Sequence, residues 1–311
     1  MNKQDIAKVI TEQRNPNSLG IDSKSTAEII YIFNQEDRKV LEAVEKEAVN
    51  IEKAIGIIVD VFKNSGRLFY VGAGTSGRLG VMDSAECPPT FGTDPNLVQG
   101  IIAGGDLALR RAVEGVEDHP EDGAAAIRAH GVTACDVVMG ITTSGRTPYV
   151  IGAIQEAHRI GAKTIFLSCN PPSETLNQFV DVFITPIVGP EIITGSTRLK
   201  AGTATKLALN MLTTIAMIKL GKVYNNLMVD VQTWNTKLVD RAKRIIAEIT
   251  EVDYDTAGEF LNKANGSAKV AIVMLEGNVD ADKAIKLLEE NDGFLRNLIT
   301  EIRHVSDFRQ N

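Results

Sequence analysis

A glycine-rich loop near residue 75 has the residue types that bind an anion. It reads Gly72-Ala-Gly-Thr-Ser-Gly77-Arg-Leu-Gly80, follows an apolar run that ends at Val71, and opens a helical pattern. Unpaired backbone N–H groups at a helix start, together with the positive end of the helix dipole, bind a phosphate monoester without a metal. Glycines let the main chain approach such a ligand closely.

The same loop also matches the GxGxxG pattern of dinucleotide-binding folds. Such a site needs an acidic residue at the end of the next strand, where the carboxylate binds a ribose hydroxyl. The next apolar run here ends in Ala103-Gly104-Gly105, and Asp106 is the nearest acidic residue. The sequence therefore disfavours a nicotinamide or flavin, and we expect no cofactor.

A second hydroxyl-rich loop, Thr142-Thr-Ser-Gly-Arg-Thr147, also follows an apolar run and opens a helix. Two such loops facing one crevice favour a phosphate site. Either loop alone is as well explained as a capped helix start, because Ser and Thr are favoured N-caps. A third polar cluster, from Thr194 to Lys206, would complete an anion pocket or is itself a capped helix with solvated lysines.

Two glutamates are candidates for acid–base chemistry. Glu86 lies in Ser84-Ala-Glu-Cys-Pro-Pro89 at the end of the helix that begins at the first loop, and we expect Pro88 to stop that helix. Glu117 lies in Val113-Glu-Gly-Val-Glu-Asp118. Spacing alone leaves open whether the two meet, and most of the 40 acidic residues are solvated surface groups.

Composition and charge limit the class of protein. The 311 residues carry a formal charge of −7, which disfavours steering toward nucleic acid or an anionic membrane. The three cysteines form no CxxC pair and the four histidines form no metal-ligand spacing, so we expect no disulfide framework and no metal site. No apolar run is long enough to span a membrane. The chain is expected to be cytoplasmic.

The elements that position these loops alternate between strand and helix. Short apolar runs predict strands at 67–71, 98–103, 136–142, 164–168 and 180–185, and helical spacing predicts helices at 76–87, 107–130 and 148–160. This alternation predicts a mostly parallel sheet with helices on both faces. Ligands of such sheets bind beyond the carboxyl ends of the strands, here after Val71 and Thr142.

The ends of the chain differ from this pattern. Residues 1 to about 22 are polar and irregular and are expected to wrap over another surface; two helices follow up to Phe62. After Pro190 helical patterns dominate, and the last sixty residues predict a small bundle. We therefore expect one domain over residues 1–250 and a helical bundle over residues 251–311.

Four segments together resemble one enzyme family. They are VGAGTSGRLGVMDSAECPPTFG (71–92), AVEGVEDHPEDG (112–123), GITTSGRTPYV (140–150) and TPIVGPEIITGSTRLKAGTATKLALNML (185–212). The chain resembles the N-acetylmuramic acid 6-phosphate etherases, which belong to the SIS (sugar isomerase) phosphosugar-binding superfamily. The resemblance implies a three-layer αβα flavodoxin-like domain with a five-stranded sheet, a helical C-terminal segment and a homodimer.

The resemblance also implies a reaction and its site residues. The reaction is cleavage of the lactyl ether of N-acetylmuramic acid 6-phosphate by water, which gives N-acetylglucosamine 6-phosphate and D-lactate in cell-wall recycling. Glu86 would be the proton donor and Glu117 the other catalytic residue. The implied phosphate contacts are Thr75, Ser76, Thr142, Thr143, Ser144 and Thr147.

Two carboxylates suit this chemistry. In the open-chain sugar the C2 hydrogen lies next to the C1 aldehyde, and the lactyl ether is beta to that aldehyde at C3. As a hypothesis, Glu117 removes the C2 proton, Glu86 protonates the departing lactate, and water then adds with Glu86 as base. Glu86 must then hold a proton near neutral pH, which burial or a neighbouring carboxylate would favour.

Two alternatives remain open from the sequence. An SIS aldose–ketose isomerase would also take a C2 proton but would release no lactate, and the motifs of Glu86 and Glu117 argue against it. A non-catalytic sensor resembling the glucokinase regulatory proteins would bind a phosphosugar without turnover. Such regulators are longer than this chain, which favours the etherase.

Overall fold

The computed structural model describes residues 9–310, with the backbone alone for residues 305–310. Contacts divide the chain into two compact units. The first contains the described residues up to Ala85 together with Asn96–Thr213. The second contains Glu86–Pro95 together with the described residues from Thr214 onward. No helix in the described part of the chain is both long and apolar enough to cross a membrane.

A five-stranded parallel sheet forms the centre of the first unit. Its strands follow the order β2-β1-β3-β4-β5, and Leu68 of β1 pairs with Val98 on one side and Val137 on the other. The bounds are β1 (Leu68–Gly72), β2 (Val98–Ile102), β3 (Val137–Ile141), β4 (Lys163–Leu167) and β5 (Val182–Ile184). Strands buried on both faces require continuous apolar runs, which is why the sequence indicated them. The order is the flavodoxin-like one.

Helices cover both faces of this sheet. The helices of the first unit begin with α1 (Thr26–Glu45), α2 (Ala48–Lys63), α3 (Gly74–Phe91), α4 (Gly105–Arg110), α5 (Pro120–Ala129) and α6 (Pro148–Ile160). Helices α5 and α6 share one apolar cluster with Phe69, Val71 and Val138. Helix α3 lies on the opposite face, because a Cβ at Gly80 would stand 2.9 Å from the Cβ of Tyr70. The predicted three-layer architecture is confirmed.

Helix α3 does not stop at Pro88, so that prediction is wrong. It continues through Pro88 and Pro89 to Phe91. The two prolines lie in its last turns, where they remove only two N–H donors, and Gly92 closes the helix by donating its N–H to the carbonyl of Pro88 at 2.9 Å. The φ angle of Gly92 is +62°, a conformation that suits glycine at a helix end.

The single helical pattern predicted over 107–130 is two helices. Helix α4 ends at Arg110 and helix α5 begins at Pro120, with a loop between them that carries Glu117. Proline disfavours the helical conformation in the residue before it, but it is favoured at a first helical position. The break therefore places Glu117 on a loop.

The second unit is helical. Helix α7 (Lys200–Lys219) begins in the first unit, and the helices that follow are α8 (Thr236–Thr250), α9 (Tyr254–Lys263), α10 (Ala268–Gly277), α11 (Ala281–Glu290) and α12 (Leu295–Gln310). They enclose a core that includes Ile246, Ile272 and Leu298. The contacts group residues 214–250 with the C-terminal helices. The domain boundary near residue 250 stays a prediction.

The N-terminal segment wraps over the first unit, as predicted for residues up to 22; residues 1–8 lie outside the described part. It forms three short 3₁₀ turns and bonds to the segment before α7. Ser18 Oγ donates to the Ile192 carbonyl at 2.7 Å, and Asn15 Nδ2 donates to the Pro190 carbonyl at 3.1 Å. These bonds give an otherwise irregular segment a fixed path.

A buried ion pair joins this segment to α1 and α7. Lys200 Nζ lies 2.6 Å from Glu36 Oε2, and both side chains are 1% exposed. Burial opposes the charge of Glu36, but hydrogen bonds from Lys200, Lys39, Asn17 and Asn15 outweigh it and lower its pKa to about 2. Breaking one side of such a pair leaves a buried charge without compensation, which costs more than the pair itself contributes.

We predict that Glu36→Gln lowers the free energy of unfolding by about 3–5 kcal/mol, because Lys200 stays buried without its counter-ion. Urea denaturation measures this change. The folded pKa of Glu36 lies below its ordinary value of 4.5, so its contribution is complete above about pH 4.5 and is lost as the pH falls toward 2. The Glu36→Gln variant should lack this acid-dependent loss of stability.

Glu42→Gln is the matched control, because Glu42 lies on the same helix and is exposed. Its effect should stay within about 0.5 kcal/mol. Adding Lys200→Met to Glu36→Gln should restore part of the lost stability. Equal effects of Glu36→Gln and Glu42→Gln would contradict the role given to the ion pair.

Candidate active site

A cleft of about 360 Å³ opens in the first unit, and it contains the loops that follow β1 and β3. This is the edge at which parallel sheets bind their ligands. Seven of the eight residues predicted for the site line the cleft: Thr75, Ser76, Glu117, Thr142, Thr143, Ser144 and Thr147. The fold therefore brings both hydroxyl-rich loops and one of the two glutamates together.

The first loop points the start of α3 into this cleft. A Cβ at Gly77 would lie 2.8 Å from the carbonyl oxygen of Gly72, so this tight strand-to-helix turn requires glycine. The first helical hydrogen bond runs from the Gly77 N–H to the Ala73 carbonyl. The N–H groups of Thr75 and Ser76 precede that bond and have no acceptor within the helix. They are donors suited to an anion.

In the second loop the hydroxyls bond to one another. Thr142 Oγ1 lies 2.8 Å from Thr147 Oγ1 and 3.3 Å from Ser144 Oγ. Thr147 makes no side-chain cap on α6, although it occupies the N-cap position. The explanation of this loop as a capped helix start therefore fails. Gly145, with φ of +72°, turns the chain so that these hydroxyls face the cleft.

Glu117 is tied to the second loop through its main chain. Its carbonyl accepts a hydrogen bond from the N–H of Tyr149, in the first turn of α6, at 3.0 Å. Partial loss of hydration, followed by the negative charges of Asp118 and Glu114, raises the pKa of the Glu117 carboxyl. A carboxylate with a raised pKa is the stronger base, so the shift favours Glu117 as the group that abstracts a proton.

The third polar cluster supplies a wall of the cleft through Gly195 and Thr197. It does not supply a free helix start. The carboxylate of Glu191 accepts hydrogen bonds from the N–H groups of Lys200 at 3.0 Å and of Ala201 at 2.9 Å, at the beginning of α7. An internal carboxylate thus occupies the donors that an external anion would need.

Glu86 is the predicted site residue that does not line this cleft. It lies near the end of α3, in the second unit, and its side chain is exposed. The burial that an acid role for Glu86 requires is therefore absent within a single chain. Its catalytic role stays a prediction.

Sequence reasoning did not select three charged residues of the cleft. Glu12, Asp118 and Arg146 line it beside the predicted residues. Asp118 and Arg146 lie inside motifs that the sequence singled out. Their position next to predicted site residues could therefore have indicated them. Glu12 lies on a 3₁₀ turn of the N-terminal segment, and no local pattern connects it with residues more than a hundred positions later.

Comparison with known proteins agrees with these features. The family described as "Glucokinase regulatory protein N-terminal SIS domain" matches residues 50–158. A phosphoheptose isomerase from Francisella tularensis superposes with a TM-score of 0.50 at 22% identity, over 63% of this chain and 99% of that one. This structural likeness supports the fold alone.

Two curated relatives are much more similar. An N-acetylmuramic acid 6-phosphate etherase from Salinibacter ruber is 53% identical over 94% of this chain and 93% of its own length. Another from Clostridium acetobutylicum is 54% identical over 93% of this chain and 95% of its own. Such identity over nearly the whole of each sequence means that the chain belongs to the N-acetylmuramic acid 6-phosphate etherase family.

Proposed function

We propose that this chain cleaves the lactyl ether of N-acetylmuramic acid 6-phosphate with water, giving N-acetylglucosamine 6-phosphate and D-lactate. The observation that carries the proposal is the presence of Glu117, with its raised pKa, in the same cleft as two phosphate-type loops. Relatives at 53% and 54% identity bear the name of this activity. Family membership favours the etherase over the isomerase and the sensor. We place the reaction in the cytoplasm.

The phosphate of the substrate binds to neutral donors. In this proposal Thr75 and Ser76 offer backbone N–H groups at the start of α3, and Thr142, Ser144 and Thr147 offer hydroxyls from the facing loop. Helix starts and hydroxyl clusters hold a phosphate without a cation. Binding at this end fixes the sugar so that its chain extends along the cleft toward Glu117.

The first chemical step is an elimination. Glu117 takes the proton from C2 of the open-chain sugar, and the electrons of that C–H bond form a C2=C3 double bond conjugated with the C1 aldehyde. The C3–O bond breaks, and the lactyl oxygen leaves with a proton that we assign to Glu86. Water then adds its oxygen to C3 and a proton to C2. The sum is one ether and one water converted into two alcohols.

We propose that Glu86 reaches the site from a second copy of the chain. Glu86 lies ten positions after Ser76 on one continuous helix, a rise of about 15 Å, which exceeds the length of a hexose phosphate. Helices α1 and α2 also expose apolar side chains: Ile30, Tyr31, Leu41 and Val49 are 56–65% exposed. Such a surface suits a homodimer, in which a second copy would supply Glu86 to the cleft.

We predict that Glu117→Gln reduces kcat for D-lactate release by about 10²- to 10⁴-fold, because the amide cannot accept the C2 proton. The affinity for the sugar phosphate should be retained, as measured by titration calorimetry. In the wild-type protein the apparent pKa of the acid limb of the kcat/KM profile should lie above the ordinary glutamate value of 4.5, because the pKa of Glu117 is raised.

Glu121→Gln is the matched control. Glu121 carries the same charge, is exposed, and neither lines the cleft nor contributes to the raised pKa of Glu117. Its turnover should stay near that of the wild type. A Glu117→Gln variant with near wild-type turnover would remove Glu117 from the chemistry.

Sharing of the site between chains has its own test, in which Glu86→Gln and Glu117→Gln chains are co-expressed. Each variant alone should be inactive. In a random mixture half of the dimers are mixed, and one of their two sites is intact, so about a quarter of wild-type activity should return. No recovered activity in mixed dimers that have been purified would show that both glutamates act within one chain.

A further inference from the structure

The charges of the cleft pose a problem for the proposed substrate. Three carboxylates line the cleft, those of Glu12, Glu117 and Asp118. N-acetylmuramic acid 6-phosphate brings two more anionic groups, its phosphate and the carboxylate of its lactyl side chain. The phosphate has the donors of both loops. The lactyl carboxylate would face like charges unless a cation also stands in the cleft.

Among the described residues that line the cleft, Arg146 is the cation. It follows Gly145 in the second loop, its backbone N–H donates to Ser144 Oγ at 3.2 Å, and the residue is half-buried. Within the described part of the chain its guanidinium makes no ion pair with a carboxylate. Arg67, by contrast, is held by Asp136 at 2.8 Å, and Arg159 is held by Glu156 at 2.7 Å. Arg146 therefore has its charge available for a ligand.

The chemistry of the arginine side chain indicates which anion Arg146 binds. A guanidinium matches a carboxylate with two parallel hydrogen bonds, and it stays charged throughout the physiological pH range. The phosphate end of the cleft already offers backbone N–H groups and hydroxyls. The unmet requirement is thus a donor for the lactyl carboxylate.

We propose that Arg146 binds the lactyl carboxylate and is the residue that distinguishes N-acetylmuramic acid 6-phosphate from N-acetylglucosamine 6-phosphate. This inference rests on the proposed function, because it concerns the substrate of the same cleft. In this arrangement Arg146 offsets part of the negative charge of the cleft and holds the leaving group beside the C3–O bond. It takes no part in proton transfer.

The test compares two ligands that differ only in the lactyl group. Titration calorimetry measures the Kd of N-acetylmuramic acid 6-phosphate and of N-acetylglucosamine 6-phosphate, in a Glu117→Gln background that prevents turnover. Arg146→Gln should weaken the first by about 10- to 100-fold, the usual effect of losing a charge-assisted pair, and leave the second essentially unchanged. Arg146→Lys keeps the charge without the two parallel bonds and should show an intermediate loss.

Arg198→Gln is the matched control, since Arg198 is exposed and adjoins the cleft residue Thr197 without lining the cleft itself. Thermal unfolding confirms that each variant is folded. Equal weakening of both ligands would assign Arg146 to the phosphate and overturn the proposal, as would unchanged affinity for both. If the wild-type chain releases no D-lactate, the proposed function fails; if it does and the Arg146 variants do not discriminate, only this inference fails.

Discussion

The ion pair between Glu36 and Lys200 is the constraint on which the shape of the cleft depends. It places a charge pair in the interior, where desolvation is costly, and it is tolerated because Glu36 also receives hydrogen bonds from Asn15 and Asn17. Those bonds fix the N-terminal segment, and the lysine fixes the start of α7. These two segments form two walls of the cleft. The N-terminal segment contributes Glu12, and the segment that leads into α7 contributes Gly195 and Thr197. A polar interior contact thus positions the surface that meets the ligand.

Much of the fold could be predicted because its signals are local. Each strand of a sheet covered on both faces is a short apolar run, and each turn into a helix shows glycines or hydroxyls directly after it. The loop from Thr142 to Thr147 illustrates this, since its position after a strand was enough to place it at the ligand-binding edge. The parallel sheet and its two layers of helices follow from the same alternation.

What could not be predicted depends on contacts between distant residues. Pro88 reads locally as a helix stop, yet α3 continues because only its last turns lose donors. The Glu36–Lys200 pair joins residues 164 positions apart, and no spacing rule connects them. Glu12 reaches the cleft for the same reason, through a segment that lacks a periodic pattern. The sequence also left open whether Glu86 and Glu117 meet, and Glu86 does not line the cleft of a single chain.

In the proposed reaction a carboxylate of the cleft removes a C2 proton and so breaks the bond between the sugar and the ether oxygen. The most direct measurement is the reaction of the wild-type chain with N-acetylmuramic acid 6-phosphate in water enriched in oxygen-18, followed by mass spectrometry of both products. Elimination and rehydration predict label at C3 of N-acetylglucosamine 6-phosphate and unlabelled D-lactate. Label in the lactate with none in the sugar, or no lactate at all, would exclude elimination and rehydration.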